Sequence, residues 1–169
     1  VYGVDLVVEM IRIVQGKPIS FSEVPEPRGH AIECRVYAED PANGFAPSPG
    51  VIETLRWASG PGIRLDAGIE EGDRVPLDYD PMLAKLLAWG PDREVARRRM
   101  LRALAETRIE GIETSIAFYQ SLLSEPAFVA NELSTQFLDR YVYAPKREDD
   151  GALEEFALVA AALQATGKA

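Results

Sequence analysis

Residues 28–50 read RGHAIECRVYAEDPANGFAPSPG, and within 31–38 polar and apolar side chains alternate. A period of two is typical of a strand with one buried face. A dense run of proline, glycine, asparagine and aspartate follows, which predicts a rigid loop. The two faces of the predicted strand carry Ile32, Cys34 and Val36 on one side, and Glu33, Arg35 and Tyr37 on the other.

The rest of the chain predicts an α+β fold: a short-stranded, mostly antiparallel sheet or small barrel with packed helices. Asp92 is a good N-cap for a helix with a buried apolar stripe, and Thr114 or Ser115 could cap another that runs to Leu123. Residues 82–89 have a composition that favours helix but are few enough for a strand. The other predicted elements are a helix at 4–14 and strands at 51–57, 63–66, 74–75 and 108–111.

Composition excludes several classes of function. A formal net charge of −9 argues against nucleic-acid binding, since phosphate contacts need a basic face. We find neither an apolar run of membrane-spanning length nor a signal peptide, so we expect a cytoplasmic protein without a membrane partner. A single cysteine allows no disulfide within the chain and no cysteine metal cluster. The start at Val1, without methionine, favours a fragment of a longer protein.

Few residues qualify for chemistry on these patterns alone. Cys34 and His30 are four strand residues apart, about 13 Å, too far for a nucleophile and its base. We therefore expect Cys34 to be a buried, inert thiol and His30 to be structural, with no metal site. The arginines of residues 97–102 are expected to form a solvated helix face. Arg35 remains, either as a functional cation or as one half of an ordinary cross-strand ion pair.

Several motifs together resemble one family. GHAIECRVYAEDP and FAPSPG resemble the opening of the C-terminal domain of biotin carboxylases, the ATP-dependent component of acetyl-CoA, propionyl-CoA and pyruvate carboxylases. GVDLV, RIEGIETSI, LLSEPAFVAN and STQFLD extend the resemblance over residues 1–139. The resemblance also implies that residues 82–89 form a strand.

The resemblance implies an enzyme that uses ATP, magnesium and bicarbonate to carboxylate biotin at nitrogen. Arg35 matches the arginine of the family's E-C-R motif, a catalytic residue that faces the biotin and bicarbonate site. A fixed cation there would stabilise negative charge on the ureido oxygen of biotin. Glu33 and Tyr37 would hold its side chain in place. The implied partners are an ATP-grasp region of the same chain, a biotin carboxyl carrier domain and a carboxyltransferase.

Further residues match family positions with less specific roles. Asp80 matches a VPxxYD motif near the active site and would orient Arg35, although an aspartate that caps its own loop is an equal alternative. Thr135 and Gln136 match the segment that closes over the adenine of ATP, with Gln136 where the family more often has histidine. Arg64 matches a residue of the homodimer interface, with Pro61 in place of a neighbouring aromatic residue.

On this basis residues 1–24 are a helix and connector that follow a missing ATP-grasp region. Residues 25–143 are the biotin carboxylase C-terminal domain, and residues 144–169 are a charged linker and an amphipathic helix. An acyl-CoA carboxylase, such as the acetyl-CoA carboxylase of fatty acid biosynthesis, is favoured as the parent enzyme. The chain alone is expected to hold no cofactor and to be inactive. The alternative is a non-catalytic docking module of a multi-domain carboxylase.

Overall fold

A three-stranded antiparallel sheet with a long helix packed on it forms the centre of the fold in the computed structural model, which describes residues 1–145. The helices are α1 Leu6–Val14, α2 Arg93–Glu106, α3 Ile116–Leu122, α4 Pro126–Val129 and α5 Phe137–Arg140. The strands are β1 His30–Tyr37, β2 Glu39–Asp40, β3 Ala46–Pro47, β4 Gly50–Val51, β5 Thr54–Arg56, β6 Ile63–Ala67, β7 Arg74–Val75, β8 Met82–Gly90 and β9 Arg108–Glu110. The expected α+β class is confirmed. The predicted C-terminal amphipathic helix and most of the predicted linker lie outside the described residues.

The central sheet has the strand order β1-β8-β6, with every pair antiparallel. Residues 82–90 therefore form a strand, because β8 is hydrogen-bonded on both sides and this pairing overrides the helix-favouring composition. The ladder between β1 and β8 is regular from His30↔Gly90 to Val36↔Ala84, and then a bulge pairs Tyr37 with Met82. Three two-stranded sheets, β2-β3, β4-β7 and β5-β9, complete the strands of residues 1–145.

Helix α2 covers the inner face of the sheet. Its N-cap is Asp92, whose carboxylate accepts the N–H of Val95 at 2.8 Å, as predicted. The predicted apolar stripe is buried, and it packs on the inner face of β1 and β8. This core cluster consists of Cys34, Ala58, Leu86, Ala88, Met100, Ala103, Leu104 and Leu123.

The predicted single strand over residues 51–57 is wrong, because it is interrupted between β4 and β5. The N–H of Ile52 donates to the carbonyl of Asp73 at 2.9 Å, and the carbonyl of Ile52 accepts the N–H of Gly72 at 2.8 Å. Ile52 is fully buried in a second core cluster. The segment changes strand partner across Ile52, from β7 alongside β4 to β9 alongside β5, and this divides the element.

The arginines of α2 are only partly solvated. Arg98 is exposed as predicted, whereas the side chain of Arg97 is only 12% exposed and donates to the carbonyl of Leu123 at 2.9 Å. Arg99 donates to the carbonyl of Trp89 at 2.7 Å. These contacts connect α2 to other elements, so this basic cluster is largely structural.

Helix α1 exposes all seven of its apolar residues. Its polar side is occupied by the following connector, because the buried Glu9 accepts hydrogen bonds from the N–H (2.8 Å) and hydroxyl (2.5 Å) of Ser20. Within residues 1–145, we find no helix with the length and apolar character needed to cross a bilayer. The exposed apolar residues of α1 are Leu6, Val7, Val8, Met10, Ile11, Ile13 and Val14.

Candidate functional site

Arg35 lies on the outer face of the central sheet. Its neighbours Cys34 and Val36 point into the core, so the alternation of β1 forces the guanidinium outward, and the side chain is 57% exposed. Lys85 of β8 is paired directly opposite Arg35, and Asp66 of β6 is paired with Lys85 on its other side. The outer face thus carries a row of charges across the three strands, with the arginine at one end.

Glu33 lies beside Arg35 on the same strand face. The Nε of Arg35 donates to Glu33 Oε1 at 3.2 Å, and no hydrogen bond of comparable geometry leaves Nη1 or Nη2 within residues 1–145. Hydrogen bonding to Glu33, and secondarily to the Tyr37 hydroxyl, raises the pKa of Arg35 above its usual value. The group is therefore a permanent cation, with its Nε paired to Glu33 and its side chain 57% exposed to solvent or a ligand.

The main chain of Arg35 is held by residues of α3 and its N-cap, a contact that the sequence did not predict. The hydroxyl of Tyr119 donates to the Arg35 carbonyl at 2.9 Å. Ser115, at the N-cap position of α3, makes no capping bond, and its hydroxyl instead accepts the N–H of Tyr37 at 3.0 Å. These partners are about eighty residues apart in sequence, so no local pattern could reveal them. The one sequence signal was that Ser115 stands at a predicted helix start, where a hydroxyl is expected to accept a hydrogen bond.

Asp80 precedes β8 in an exposed loop over residues 76–80. Its Oδ1 accepts the N–H of Met82 at 2.9 Å, which is the loop-capping geometry, and it makes no hydrogen bond to Arg35 within the described part of the chain. The chain just after this loop meets the residue that follows β1, because the N–H of Ala38 donates to the carbonyl of Pro81 at 2.9 Å. A role for Asp80 in orienting Arg35 stays a prediction.

Thr135 and Gln136 are exposed residues immediately before α5. Helix α5 is followed by Tyr141, whose hydroxyl donates to the Ser121 hydroxyl at 2.6 Å near the C-terminal end of α3. Arg35 is bonded to the other end of α3, and six helical residues correspond to about 9 Å. The two sets of predicted site residues are thus connected through one short helix, and the adenine contact stays a prediction.

Arg64 lies on β6, the outer strand of the sheet opposite β1. Its guanidinium makes a two-point ion pair with Asp66, with Nε to Oδ1 and Nη2 to Oδ2 both at 2.9 Å. Hydrogen bonding to Arg64 lowers the pKa of Asp66, so this pair stays ionised near neutral pH. An exposed outer strand could meet a second copy of the chain, and that role for Arg64 stays a prediction.

Cys34 is 2% exposed, as expected, and burial raises the pKa of its thiol to about 12. His30 begins β1 and is paired with Gly90, and its structural role stays a prediction. Within residues 1–145, no three histidine, cysteine, aspartate or glutamate residues come together as a metal site would require.

We predict that Cys34 resists thiol reagents in the native protein. A protonated thiol with little access to solvent can react only after the sheet opens. Labelling with a chromogenic disulfide should therefore be slow in buffer and fast in denaturant. Rapid native labelling would show that β1 is not packed under α2. Substitution by alanine should cost about 1–2 kcal/mol of the free energy of unfolding.

The chemistry that this face can perform is limited and specific. An arginine cannot act as a general base at neutral pH, but a fixed cation can stabilise an oxygen on which negative charge develops. The strand fixes its main chain and Glu33 restrains its side chain, so little reorganisation is needed when charge appears. The fold and this face define an α+β domain that presents an exposed arginine, restrained by a carboxylate, on the outer face of a sheet.

The comparisons with known proteins agree with this description. The family model "Biotin carboxylase C-terminal domain" matches residues 33–140. A pyruvate carboxylase subunit of Methanothermobacter thermautotrophicus is 45% identical over 140 residues, which cover 82% of this chain and 28% of that protein. "Biotin carboxylase" of Nostoc sp. is 45% identical over 139 residues, which cover 82% of this chain and 31% of that protein.

Solved structures give the same result. Rhizobium etli pyruvate carboxylase with acetyl coenzyme A has a TM-score of 0.80 at 39% identity, covering 88% of this chain and 16% of that one. The biotin carboxylase domain dimer of Hydrogenobacter thermophilus 2-oxoglutarate carboxylase, in complex with MgADP and bicarbonate, has a TM-score of 0.77 at 36% identity. That match covers 85% of this chain and 33% of that one.

The chain therefore belongs to the biotin carboxylase C-terminal domain family. Its resemblance to biotin carboxylases, expected from the motifs around Arg35, is confirmed. The chain spans 28% of the length of the Methanothermobacter relative and 31% of the length of the Nostoc relative.

Proposed function

We propose that this chain is the C-terminal domain of an ATP-dependent biotin carboxylase, which carboxylates biotin at nitrogen with bicarbonate as the carbon source. The observation that carries the proposal is the position of Arg35. It is an exposed, permanently charged guanidinium on a rigid strand, within the E-C-R sequence that begins the match to the family. The relatives named as biotin carboxylase and as a pyruvate carboxylase component support the same reaction.

Arg35 acts in this proposal by electrostatic stabilisation. Biotin supplies a ureido nitrogen that becomes nucleophilic when negative charge accumulates on the ureido oxygen. The guanidinium of Arg35 fits that oxygen, because Glu33 takes only its Nε and the side chain, which also contacts the Tyr37 hydroxyl, stays 57% exposed to an anionic acceptor. A cation that is fixed before the reaction lowers the barrier without reorganisation. Glu33 is a positioning residue in this scheme.

In this proposal, the residues that bind ATP and magnesium belong to another region of a longer protein, and this chain contributes Arg35 to the shared site. The sequence has no GxxxxGK[ST] loop, and residues 1–145 group no carboxylates or histidines as metal ligands. In the related 2-oxoglutarate carboxylase domain, the bound ligands include MgADP and bicarbonate. We assign ATP and metal binding to an ATP-grasp region, with Thr135 and Gln136 contributing near the adenine.

The exposed apolar side of α1 supports a further part of the proposal. A row of exposed leucine, valine, methionine and isoleucine side chains is unfavourable in water and is expected to be covered. The ATP-grasp region is the proposed cover. A biotin carboxyl carrier domain, a carboxyltransferase and a second copy at Arg64 are the other proposed partners, in a cytoplasmic acyl-CoA carboxylase such as that of fatty acid biosynthesis. The second candidate, a docking module without catalytic residues, is favoured only by this apolar helix.

The test of the proposed reaction is fixation of labelled bicarbonate. The full-length protein that contains this chain should convert free biotin to an acid-labile carboxylated product, and it should require ATP and magnesium. The docking-module candidate predicts fixation that is unchanged when Arg35 is replaced. Absence of biotin-dependent fixation by the folded full-length protein would contradict the proposed function.

We also predict that the 169-residue chain alone neither cleaves ATP nor binds it with micromolar affinity. The physical reason is that the sequence has no GxxxxGK[ST] loop to hold the phosphates of a nucleotide. Isothermal titration with MgATP should show no heat of binding above dilution, with the full-length protein as the positive control. A dissociation constant in the micromolar range for the chain alone would contradict the prediction.

A further inference from the structure

Strand β1 is an outer strand of the central sheet, so one of its edges has no strand partner within residues 1–145. At Arg35 and Tyr37 this edge is occupied by α3 and its N-cap. The N–H of Ser115 donates to the Tyr37 carbonyl at 3.1 Å, and its hydroxyl accepts the N–H of Tyr37 at 3.0 Å. The hydroxyls of Ser115 and Tyr119 both lie within hydrogen-bond distance of the Arg35 carbonyl, at 3.4 and 2.9 Å.

These contacts coincide with the bulge between Val36 and Tyr37. A bulge loosens the ladder and re-aims the neighbouring side chains. The pairing of β1 with β8 becomes irregular directly after Val36, so the direction of β1 beside Arg35 depends also on the two hydroxyl groups at its other edge. Ser115 is 2% exposed, so its hydroxyl has no water to replace a lost partner.

Both hydroxyls can serve as donors at working pH. Burial raises the pKa of Tyr119 to about 12, so its phenol keeps its proton. The contacts to β1 are made by oxygen atoms, so a substitution that removes only the oxygen of Tyr119 leaves its ring packed in place. Such a substitution tests the hydrogen bond of Tyr119 to β1 without changing the packing of its ring.

We propose that Ser115 and Tyr119 are positioning residues for Arg35, fixing its main chain so that the guanidinium is aimed before the substrate arrives. The inference rests on the proposed function, in which Arg35 stabilises charge on the ureido oxygen. A shift of the main chain at residue 35 is transmitted to the end of a long side chain. Misplacement of a reacting group by about 1 Å can cost about a hundredfold in rate.

The test uses the full-length protein and its biotin-dependent ATP cleavage. Tyr119→Phe removes one oxygen without changing the ring, and it should lower kcat about tenfold with the KM for ATP unchanged. The double substitution Ser115→Ala, Tyr119→Phe should approach a hundredfold loss. Where the double variant does not fold, the isosteric Tyr119→Phe decides alone.

Thr107→Val is the matched control. The Thr107 hydroxyl is also buried, donates to the Ala103 carbonyl at 2.8 Å and accepts the N–H of Ala58 at 3.3 Å, far along the chain from β1. Its loss should lower the melting temperature but leave kcat unchanged. Equal effects of Thr107→Val and Tyr119→Phe on kcat at equal stability would overturn the proposal.

A double-mutant cycle with Arg35→Gln separates positioning from general stability. A residue that acts through Arg35 should have no further effect on kcat once Arg35 is gone. An additive loss in the Arg35→Gln background would overturn the positioning role while leaving the proposed function intact. An unchanged kcat in Arg35→Gln itself would instead remove the proposed function of Arg35.

Discussion

Arg35→Gln in the full-length protein is expected to lower turnover by about two to three powers of ten, the usual effect of losing one oxyanion-stabilising donor. Glutamine keeps a polar side chain on the outer face but cannot supply the positive charge. An interaction made mainly in the transition state lowers kcat more than it weakens ground-state binding, so the affinity for ATP should be unchanged. Biotin-dependent ATP cleavage, measured beside the melting temperature, gives both quantities.

Arg108→Gln is the control for this variant. Arg108 is also an exposed strand arginine that donates through Nε to a carboxylate two residues along, Glu110 at 2.7 Å. It should retain normal turnover. Arg35→Lys should recover only part of the activity, since an ammonium lacks the planar, two-donor geometry. Near-normal turnover of a destabilised Arg35→Gln protein would show that Arg35 has no part in the reaction and would favour the docking module.

Leu86→Ala is expected to cause a large loss of stability, about 2–5 kcal/mol of the free energy of unfolding. Leu86 is fully buried in the middle of β8, paired with Cys34 on one side and Leu65 on the other, beneath α2. Truncation leaves a cavity that a doubly paired strand cannot close by moving. Urea denaturation of the chain measures the loss.

Leu77→Ala is the control for the core variant. Leu77 lies exposed in the loop before β8, so its truncation should change the free energy of unfolding by no more than about 0.5 kcal/mol. Equal effects of the two substitutions would show that β8 is not the centre of the core. An unchanged stability of Leu86→Ala would contradict the packing described for the central sheet.

The elements that the sequence predicts correctly are those set by neighbours in the chain. Alternation at residues 31–38 requires a buried face, and this places Cys34 inside and Arg35 outside. Asp92 caps α2 through a bond to a residue three positions away. Each of these features depends on a period or a spacing, which is visible in one segment.

The features that the sequence did not predict depend on distant partners. Ile52 is bonded to a turn some twenty residues later, and this divides the expected strand. Arg97 was expected on a solvated face. It instead donates to the carbonyl of Leu123, because α3 packs on α2. Ser115 and Tyr119 reach Arg35 from about eighty residues away. The periodicity of the sequence does not show which groups bond to the unpaired main chain of an outer strand. The contacts that position Arg35 can therefore be seen only in the folded structure.

The central claim is that Arg35 holds the ureido oxygen of biotin. The most direct measurement is the distance between them in a crystal structure of the full-length protein with biotin and bicarbonate bound. We predict that a terminal guanidinium nitrogen of Arg35 lies about 2.7–3.1 Å from the ureido oxygen, with the Nε bond to Glu33 retained. A ureido oxygen that is bound by other groups, with Arg35 still directed to solvent, would contradict the claim.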